Sequence, residues 1–325
     1  MSDLFEEYGD LDDLRESLKA SDPGERRVAI MELADLGDPA AVELLKSVVS
    51  DQEAGVREQA ATALGEYDGP DAASALAGFL VDADTGVAKA AALSIAELKD
   101  PQSADPLLPL VKHDTPFVRA AALRGLRELK RPDTLQTALQ ALSDDDSTVR
   151  TEAIGVIGFL KLEEAIPALK SATQDADPKV RRAAVSALSF SQVSAAHETV
   201  IESMSDEDWM VREMAAETMV RSPKSDAGLA ALIKALDDEY WQVRLKATRS
   251  LGIFKVHDAV DLIAPGLKHD QANLRKETAA ALGEIAAPES RQYLTPFIDD
   301  GDPDVRKNVR WALGQIEKYE QAQEA

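Results

Sequence analysis

Residues that commonly carry out catalysis or bind metals are few in this sequence. It contains no cysteine, which excludes disulfides, thiolate metal sites and cysteine nucleophiles. Two of its four histidines, His113 and His269, share the phrase Lys-His-Asp, but five copies of the repeat described below separate them, too many for one metal ion. No glycine-rich phosphate loop or serine nucleophile motif occurs, and the many acids single out no acid–base pair. We expect no catalytic residues, no metal and no cofactor, while binding of a small anionic ligand stays open.

A concentrated positive cluster stands out in a chain whose formal net charge is −23. Arg124, Arg127 and Arg131 are spaced i, i+3 and i+7, which places them on one face of a predicted helix. Their forked guanidinium groups suit the carboxylates or phosphates of a partner or ligand. The alternative is a solvated face paired with Glu128 and with acids of adjacent repeats. Further cations are nearby in the sequence: Lys112, Arg119 and Lys130.

Two phenylalanines, Phe159 and Phe190, occupy a position that is polar in most copies of the repeat. The same predicted helices carry small residues: Gly155, Gly158, Ser186 and Ser189. Together with the arginine cluster, the aromatic and small residues predict a binding groove. The alternative is that both rings pack under the loop leading to the following helix.

A third departure from the repeat pattern is rich in aromatic residues and methionine. Trp209 and Trp241 occupy equivalent positions, Tyr240 precedes the second, and Met210 follows the first. Such side chains bury much area at protein contacts, so we include Trp209, Met210 and Trp241 among the expected partner-binding residues. The alternative is that each tryptophan covers the start of its helix.

These residues are placed by a phrase, usually Val followed by Arg, that recurs ten times. Its first position falls at residues 25, 56, 87, 118, 149, 180, 211, 243, 274 and 305, with steps of 31 and one of 32. Such a period is typical of a solenoid, in which each unit buries its apolar face only by stacking on its neighbours.

Each copy has the pattern of a helical hairpin. Asp177-Pro178 supplies an N-cap and a first helical residue, and Val180, Ala184 and Leu188 follow on one helix face. A short loop and a second leucine-rich helix complete the copy. The sequence therefore predicts an all-α fold, a right-handed α-solenoid of about ten helical hairpins. We expect one domain over 1–325, with an N-terminal capping region at 1–20, repeats at 21–318 and a polar tail at 319–325.

The Arg of the phrase is present in nine of the ten copies, and an acid lies five residues before most of the phrases. Because a residue present in nearly every copy serves stacking more readily than a single site, we interpret the two columns as an Asp–Arg ladder between adjacent repeats. Ala88 is the one copy that lacks the Arg.

The run Asp302-Pro303-Asp304-Val305-Arg306, followed by Trp311-Ala312-Leu313-Gly314, resembles HEAT repeats. More narrowly, the chain resembles the short 31-residue subtype found in phycobilisome lyase subunits and in many bacterial and archaeal scaffold proteins. The resemblance covers about the whole chain and implies that the first helix of each hairpin lines the concave side. Because the family serves many roles, it predicts the fold more strongly than the function.

The acidic composition predicts no nucleic-acid partner and no anionic membrane surface. The acidic start of the chain lacks the pattern of a signal peptide, and no stretch of 18 apolar residues occurs, so we expect a cytoplasmic protein. The leading hypothesis is a non-enzymatic scaffold, or an assembly or maturation factor, that binds another protein on its concave face. The alternative is a bilin-lyase-like or cofactor-chaperone subunit handling an anionic tetrapyrrole. The sequence leaves enzymatic activity undecided.

Overall fold

The Val-Arg phrase lies near the start of a helix in every one of its ten copies. A computed structural model describes residues 11–324, and all regular elements there are helical. The chain divides into two compact units, residues 1–162 and 163–325.

The described part of the first unit, residues 11–162, contains ten α-helices. In chain order they are α1 Leu11–Ser17, α2 Pro23–Leu36, α3 Ala41–Ser47, α4 Ala54–Ala63, α5 Pro70–Leu80, α6 Thr85–Ile95, α7 Ala104–Leu107, α8 Pro116–Leu129, α9 Leu135–Ala141 and α10 Ser147–Leu160. Short 3₁₀ segments extend or precede several of them: Val48–Ser50, Leu64–Glu66, Pro101–Ser103, Leu108–Lys112 and Pro132–Thr134. The first helices of successive hairpins pack on one another, α2 on α4, α4 on α6, α6 on α8 and α8 on α10.

The second unit repeats this arrangement. Its helices are α11 Ile166–Ala172, α12 Pro178–Leu188, α13 Ser194–Glu202, α14 Trp209–Thr218, α15 Asp226–Ala235, α16 Trp241–Ile253, α17 Val260–Ile263, α18 Ala272–Ile285, α19 Arg291–Leu294 and α20 Pro303–Glu324. The 3₁₀ segments are Glu163–Ala165, Ser203–Ser205, Met219–Arg221, His257–Ala259, Ala264–Lys268, Pro288–Ser290 and Thr295–Phe297. Here α12, α14, α16, α18 and α20 form one layer, and α11, α13 and α15 pack in succession in the other.

The chain is therefore an all-α solenoid of stacked helical hairpins, as the sequence predicts. Residues 1–10 of the expected capping region lie outside the described residues, and α1 packs on α2. In the expected polar tail, residues 319–324 continue α20. Among the described helices, none is both long and apolar enough to cross a membrane.

Helix starts follow the aspartate pattern of the sequence. The side chains of Asp22, Asp177 and Asp208 each accept the backbone N–H two residues later at 2.8 Å. Thr115 occupies the same position without a side-chain cap, and the fixed φ of Pro116 opens that helix instead. Where an Asp cap is present, it sets where the first helix begins, and therefore which side chains reach the exposed face of that helix.

The Val and Ala columns of the repeat form the part of the core that lies between neighbouring first helices. Val56 and Val149 are fully buried, and so are Ala60 and Ala153, four residues after them. The small Ala side chain lets the backbones of neighbouring first helices approach closely. Burying these columns in every repeat supplies the apolar contact that one hairpin lacks alone.

The Asp–Arg ladder predicted from the sequence is present in both units. Arg57 donates from Nε and Nη2 to the two carboxylate oxygens of Asp82 at 2.6 and 2.9 Å, and from Nη1 to the backbone oxygen of Asp51 at 2.7 Å. Each such Arg therefore holds its own loop and the acid of the next repeat. The equivalent pairs are Arg26–Asp51 and Arg119–Asp144 in the first unit, and Arg181–Asp206, Arg212–Asp238 and Arg275–Asp300 in the second. We call this row the edge ladder.

Candidate protein-interaction surface

Two of the predicted arginines join neighbouring first helices in the first unit. Arg124 on α8 donates from Nε and Nη2 to one oxygen of Glu152 on α10 at 3.0 and 2.6 Å. Arg127 donates to Glu128 at 3.0 Å and reaches the other oxygen of Glu152 at 3.5 Å. The cluster is thus partly neutralised by acids, the alternative considered from the sequence. Arg124 nevertheless keeps 41% of its side chain exposed, while Glu152 is mostly covered.

Phe159 lies exposed beside these arginines. Its ring is 42% accessible and has the guanidinium carbon of Arg127 at 5.9 Å and Nζ of Lys130 at 5.4 Å from its centroid. A cation within about 6 Å of an aromatic face is attracted by the ring's quadrupole. The contacts hold an apolar ring in place at the surface, so it does not pack under the following loop.

A small cavity of about 240 Å³ adjoins Arg124. Phe117, Ala120 and Ala121 contribute α8 side chains to its lining, and Thr148 contributes from the start of α10. Phe117 is itself 41% exposed. Apolar and positive groups are therefore combined on α8 and α10. Phe117 adjoins Arg124, and Phe159 adjoins its two cations. We define Phe117, Arg124, Arg127, Lys130 and Phe159 as the α8–α10 surface.

Arg131 does not lie on the helix face predicted for it. The helix ends at Leu129 because Lys130 adopts a left-handed conformation with φ of 52°, and Arg131 follows in extended backbone. There it forms a bidentate pair with Asp133 and contacts Asp105 at 2.6 Å. Hydrogen bonds to Asp133 and Asp105 raise the pKa of Arg131. The spacing rule failed because the sequence shows no glycine or asparagine at the helix end.

The second unit contains a close counterpart of the Arg124–Glu152 pair. Arg249 on α16 donates to both oxygens of Glu277 on α18 at 2.9 and 2.7 Å, and 43% of its side chain is exposed. Its hydrogen bond to Glu277 raises the pKa of Arg249. Arg249 and Arg124 occupy the same position in their repeats, six residues after the phrase. Arg249 has the same kind of ion pair as Arg124 but lacks an aromatic cluster like the one around Phe159. Arg249 is therefore a matched control for Arg124.

The remaining predicted residues belong to the second unit. Phe190 is exposed, and the guanidinium of Arg221 lies 4.4 Å from its ring centroid. Arg221 also donates to the hydroxyl of Ser189 at 2.9 Å. Phe159 belongs to the first unit and Phe190 to the second.

Trp209 stacks on Tyr240 with ring centroids 5.4 Å apart and an interplanar angle of 13°. The guanidinium of Arg212, a member of the edge ladder, lies 5.8 Å from the Tyr240 centroid. Met210 and Trp241 are half-buried, Met210 being capped at its amide by Asp208. The stack therefore braces the starts of two successive helices, and it leaves Tyr240 exposed.

Within residues 11–324, no group of three or more His, Asp or Glu side chains is arranged to hold a metal ion. His197 is buried, and its Nε2 lies 2.8 Å from the backbone oxygen of Ser191. Its surroundings are those of a structural histidine.

Sequence reasoning missed two members of the α8–α10 surface. The sequence indicates Lys130 only as a nearby cation, yet its left-handed conformation brings Nζ over Phe159. Phe117 stands one residue before the phrase, where no other copy has an aromatic residue. An aromatic residue where the other copies have none is the same kind of departure that singles out Phe159, so the sequence did contain a signal for Phe117.

Comparison with known proteins identifies the repeat. Family models of HEAT repeats match six overlapping segments: residues 11–96, 75–153, 104–189, 170–252, 198–280 and 260–325. A search of curated proteins found no match to the sequence.

Among solved structures, Kap95 in a Kap95:Nup1 complex aligns with a TM-score of 0.66 and 15% identity, over 95% of this chain and 50% of that one. Kap95p in a structure describing its binding to RanGDP has a TM-score of 0.64 and 14% identity, with the same coverage. The Escherichia coli protein YibA has a TM-score of 0.62 and 17% identity, over 82% of this chain and 97% of YibA. At these identities the similarity shows the fold alone, and the chain spans half the length of Kap95.

Proposed function

Because the chain belongs to the HEAT-repeat family, we propose that it is a non-enzymatic scaffold that binds a partner protein through the α8–α10 surface. The observation that carries the proposal is the exposed Phe159 ring with Arg127 and Lys130 against it, in a chain of net charge −23. The partner segment that fits has acidic side chains next to an apolar or aromatic one. Assembly or maturation of a larger complex, with the partner on the concave side, is the setting we propose.

Energetic arguments support these residues as an anchor. Aromatic and Arg side chains contribute most to binding when a partner removes them from water, each costing about 2 kcal/mol or more on truncation. Phe159 and Phe117 offer exposed apolar area, while Arg124 and Arg127 are held in place by Glu152. Ordering these arginines before binding lowers the entropy lost on association.

The fold comparisons support protein binding in general. Kap95 has been described binding RanGDP and in a complex with Nup1. Solenoids stack repeats into extended surfaces suited to such contacts. The identities of 14% and 15% carry no partner from Kap95 to this chain.

The anionic tetrapyrrole alternative has less support. Arg131, one of the three arginines proposed to hold its carboxylates, lies off the helix face and is paired with Asp133 and Asp105. The cavity beside Arg124 is about 240 Å³, below the roughly 300–1,000 Å³ typical of small-molecule pockets. A macromolecular partner needs no enclosed pocket, so it fits this surface better.

A paired set of variants tests the proposal. Arg124→Ala with Phe159→Ala removes one ion-pairing Arg and the exposed ring. Arg249→Ala with Ile253→Ala removes the Arg of the equivalent ion pair and the exposed apolar residue that occupies the Phe159 position of the eighth repeat, both on α16. We expect both proteins to melt at similar temperatures. Affinity for the dominant co-purifying protein should fall by at least about ten-fold only in the first, as loss of a binding anchor predicts.

The measurement is co-purification from the source cells followed by titration of the partner against each variant. Equal affinities of the two double variants would contradict the proposal, because the α8–α10 surface would then contribute no more than its counterpart.

A further inference from the structure

One rung of the edge ladder carries histidine where the others carry aspartate. Arg244 points Nη2 at Nε2 of His269 at 2.8 Å, whereas an ordinary rung such as Arg57–Asp82 places Nε and Nη2 on two carboxylate oxygens. Nη1 of Arg244 still donates to the backbone oxygen of Asp238 at 2.6 Å, as in the other copies. The guanidinium is therefore held in the usual way and lacks only its carboxylate.

The hydrogen bonds of His269 leave the rung with two donors facing each other. Nδ1 accepts the backbone N–H of Gln271 at 3.0 Å, the role that an aspartate oxygen has in other copies. A neutral imidazole carries one ring hydrogen, so Nε2 bears it and points an N–H at the N–H of Arg244. The other tautomer moves the conflict to the Gln271 amide. In neither tautomer can the ring satisfy both neighbours.

A third donor is also without an acceptor. Nε of Arg244, which binds a carboxylate oxygen in the Asp-containing rungs, makes no hydrogen bond to any residue in 11–324. Nε and Nη2 of Arg244 are the two donors that bind the two oxygens of a carboxylate. Nε2 of His269 adds a third donor beside these two nitrogens.

We propose that Arg244 and His269 form a binding site for a carboxylate, which takes the place of the missing aspartate. The carboxylate comes either from an Asp or Glu side chain of a partner protein or from a free small carboxylate. The site is half-buried at the edge of α16 and α18, and it does not depend on the function proposed for the α8–α10 surface.

Neighbouring acids do not prevent such binding. Glu239 and Asp270 are next to the rung in sequence, but the ordinary rungs hold their carboxylates among similar acids. Arg181, for example, binds Asp206 at 2.8 Å while Glu207 lies 3.3 Å from the same nitrogen. A guanidinium already oriented by backbone carbonyls therefore binds a carboxylate despite the acidic surroundings.

The chain provides an internal control. His113 occupies the same position in the fourth repeat, and its Nδ1 accepts the Thr115 amide at 3.1 Å. The Arg position of the preceding repeat is Ala88, so His113 has no guanidinium to complete a site.

The test follows the four histidine rings by NMR in full-length protein labelled at histidine, with sodium acetate replacing sodium chloride at constant ionic strength. We expect a saturable shift of the His269 signals at an acetate concentration at least about ten-fold below any change at His113. Arg244→Ala should remove the His269 response. A His269 signal that acetate leaves unmoved, or that moves no more than His113, would overturn the proposal.

Two further ligands identify the source and the specificity. If hexaglutamate binds more tightly than acetate at equal carboxylate concentration, the natural ligand is the side chain of a partner protein. If the two bind equally, the natural ligand is a free small carboxylate. Inorganic phosphate that binds as well as acetate would contradict a carboxylate site.

Placing an aspartate at position 269 gives an independent test, with the melting temperature as its readout. His269→Asp supplies the missing carboxylate, so it should raise the melting temperature by about 2–4 °C and remove its dependence on acetate. His113→Asp adds the same charge opposite Ala88 and should give no such rise. An equal rise in melting temperature for the two substitutions would contradict the proposal that Arg244 lacks a carboxylate partner.

Discussion

At the scale of single residues, each Arg of an ordinary edge-ladder rung binds two neighbours at once. Arg57 bonds its own loop through the backbone oxygen of Asp51 and the next repeat through Asp82. The guanidinium of Arg57 lowers the pKa of Asp82, and Arg119 and Arg275 do the same for Asp144 and Asp300. Burial alone would raise the pKa of these carboxyls, but their hydrogen bonds to Arg outweigh that effect, so the folded state favours the charged form.

This pKa depression determines how the ladder depends on pH. A carboxyl whose pKa is lower in the folded state adds stability that is fully present above its unfolded value, about 3.9, and is lost as pH falls through the folded value. We expect Asp82→Asn to lower the free energy of unfolding by about 1–3 kcal/mol at pH 7 and by much less near pH 3. Denaturant melts at the two pH values measure this.

Glu97→Gln is the control for that comparison, since it removes a negative charge from an exposed position outside the ladder. A deficit of Asp82→Asn that stays constant from pH 7 to pH 3 would show that the ion pair with Arg57 is not its origin.

The ladder could be predicted from the sequence, because both of its columns recur in most copies. The pairs Arg124–Glu152 and Arg249–Glu277 could not be recognised in the same way. Their positions, six and three residues after the phrase, change residue type from repeat to repeat, so no column reveals the contact. The donor conflict at His269 required the directions of both ring nitrogens.

At the scale of helices, a position nine residues after the phrase controls how closely first helices pack. A Cβ added to Gly252 on α16 would lie 2.7 Å from the backbone Cα of Ala281 on α18. The equivalent residue on α20, Gly314, has open space within 4 Å. The first glycine therefore permits a backbone contact, and the second does not.

We expect Gly252→Ala to destabilise the protein by about 1–3 kcal/mol, because α16 and α18 must separate. Gly314→Ala should stabilise it by up to about 1 kcal/mol through helix propensity alone. Thermal melts of both variants measure the difference. Stabilisation of similar size in both would contradict the close packing of α16 on α18.

Helix ends were the least predictable elements. Aspartates and prolines predicted the starts of most first helices. No such residue predicted the end of α8, where Lys130 adopts a left-handed conformation that is rare for lysine. That single residue moved Arg131 off the helix and brought Lys130 over Phe159. A sequence pattern read as an uninterrupted helix could not anticipate either result.

At the scale of the whole molecule, the period determined the architecture, because ten similar hairpins can bury their apolar faces only by stacking. Residues that recur hold the repeats together, while the exposed aromatic and cationic residues of α8 and α10 occur where the pattern changes. The assignment of a partner to this surface stays a proposal, since a fold shared with Kap95 and YibA specifies no ligand.

The most direct test of the central claim is site-specific photo-crosslinking in the source cells. A photoreactive phenylalanine analogue replaces Phe159 in one protein and Ile253, the exposed residue at the equivalent position of the eighth repeat, in another. We expect one dominant partner protein to be crosslinked from position 159 and not from position 253. The same products from both positions, or none from position 159, would contradict the assignment of partner binding to the α8–α10 surface.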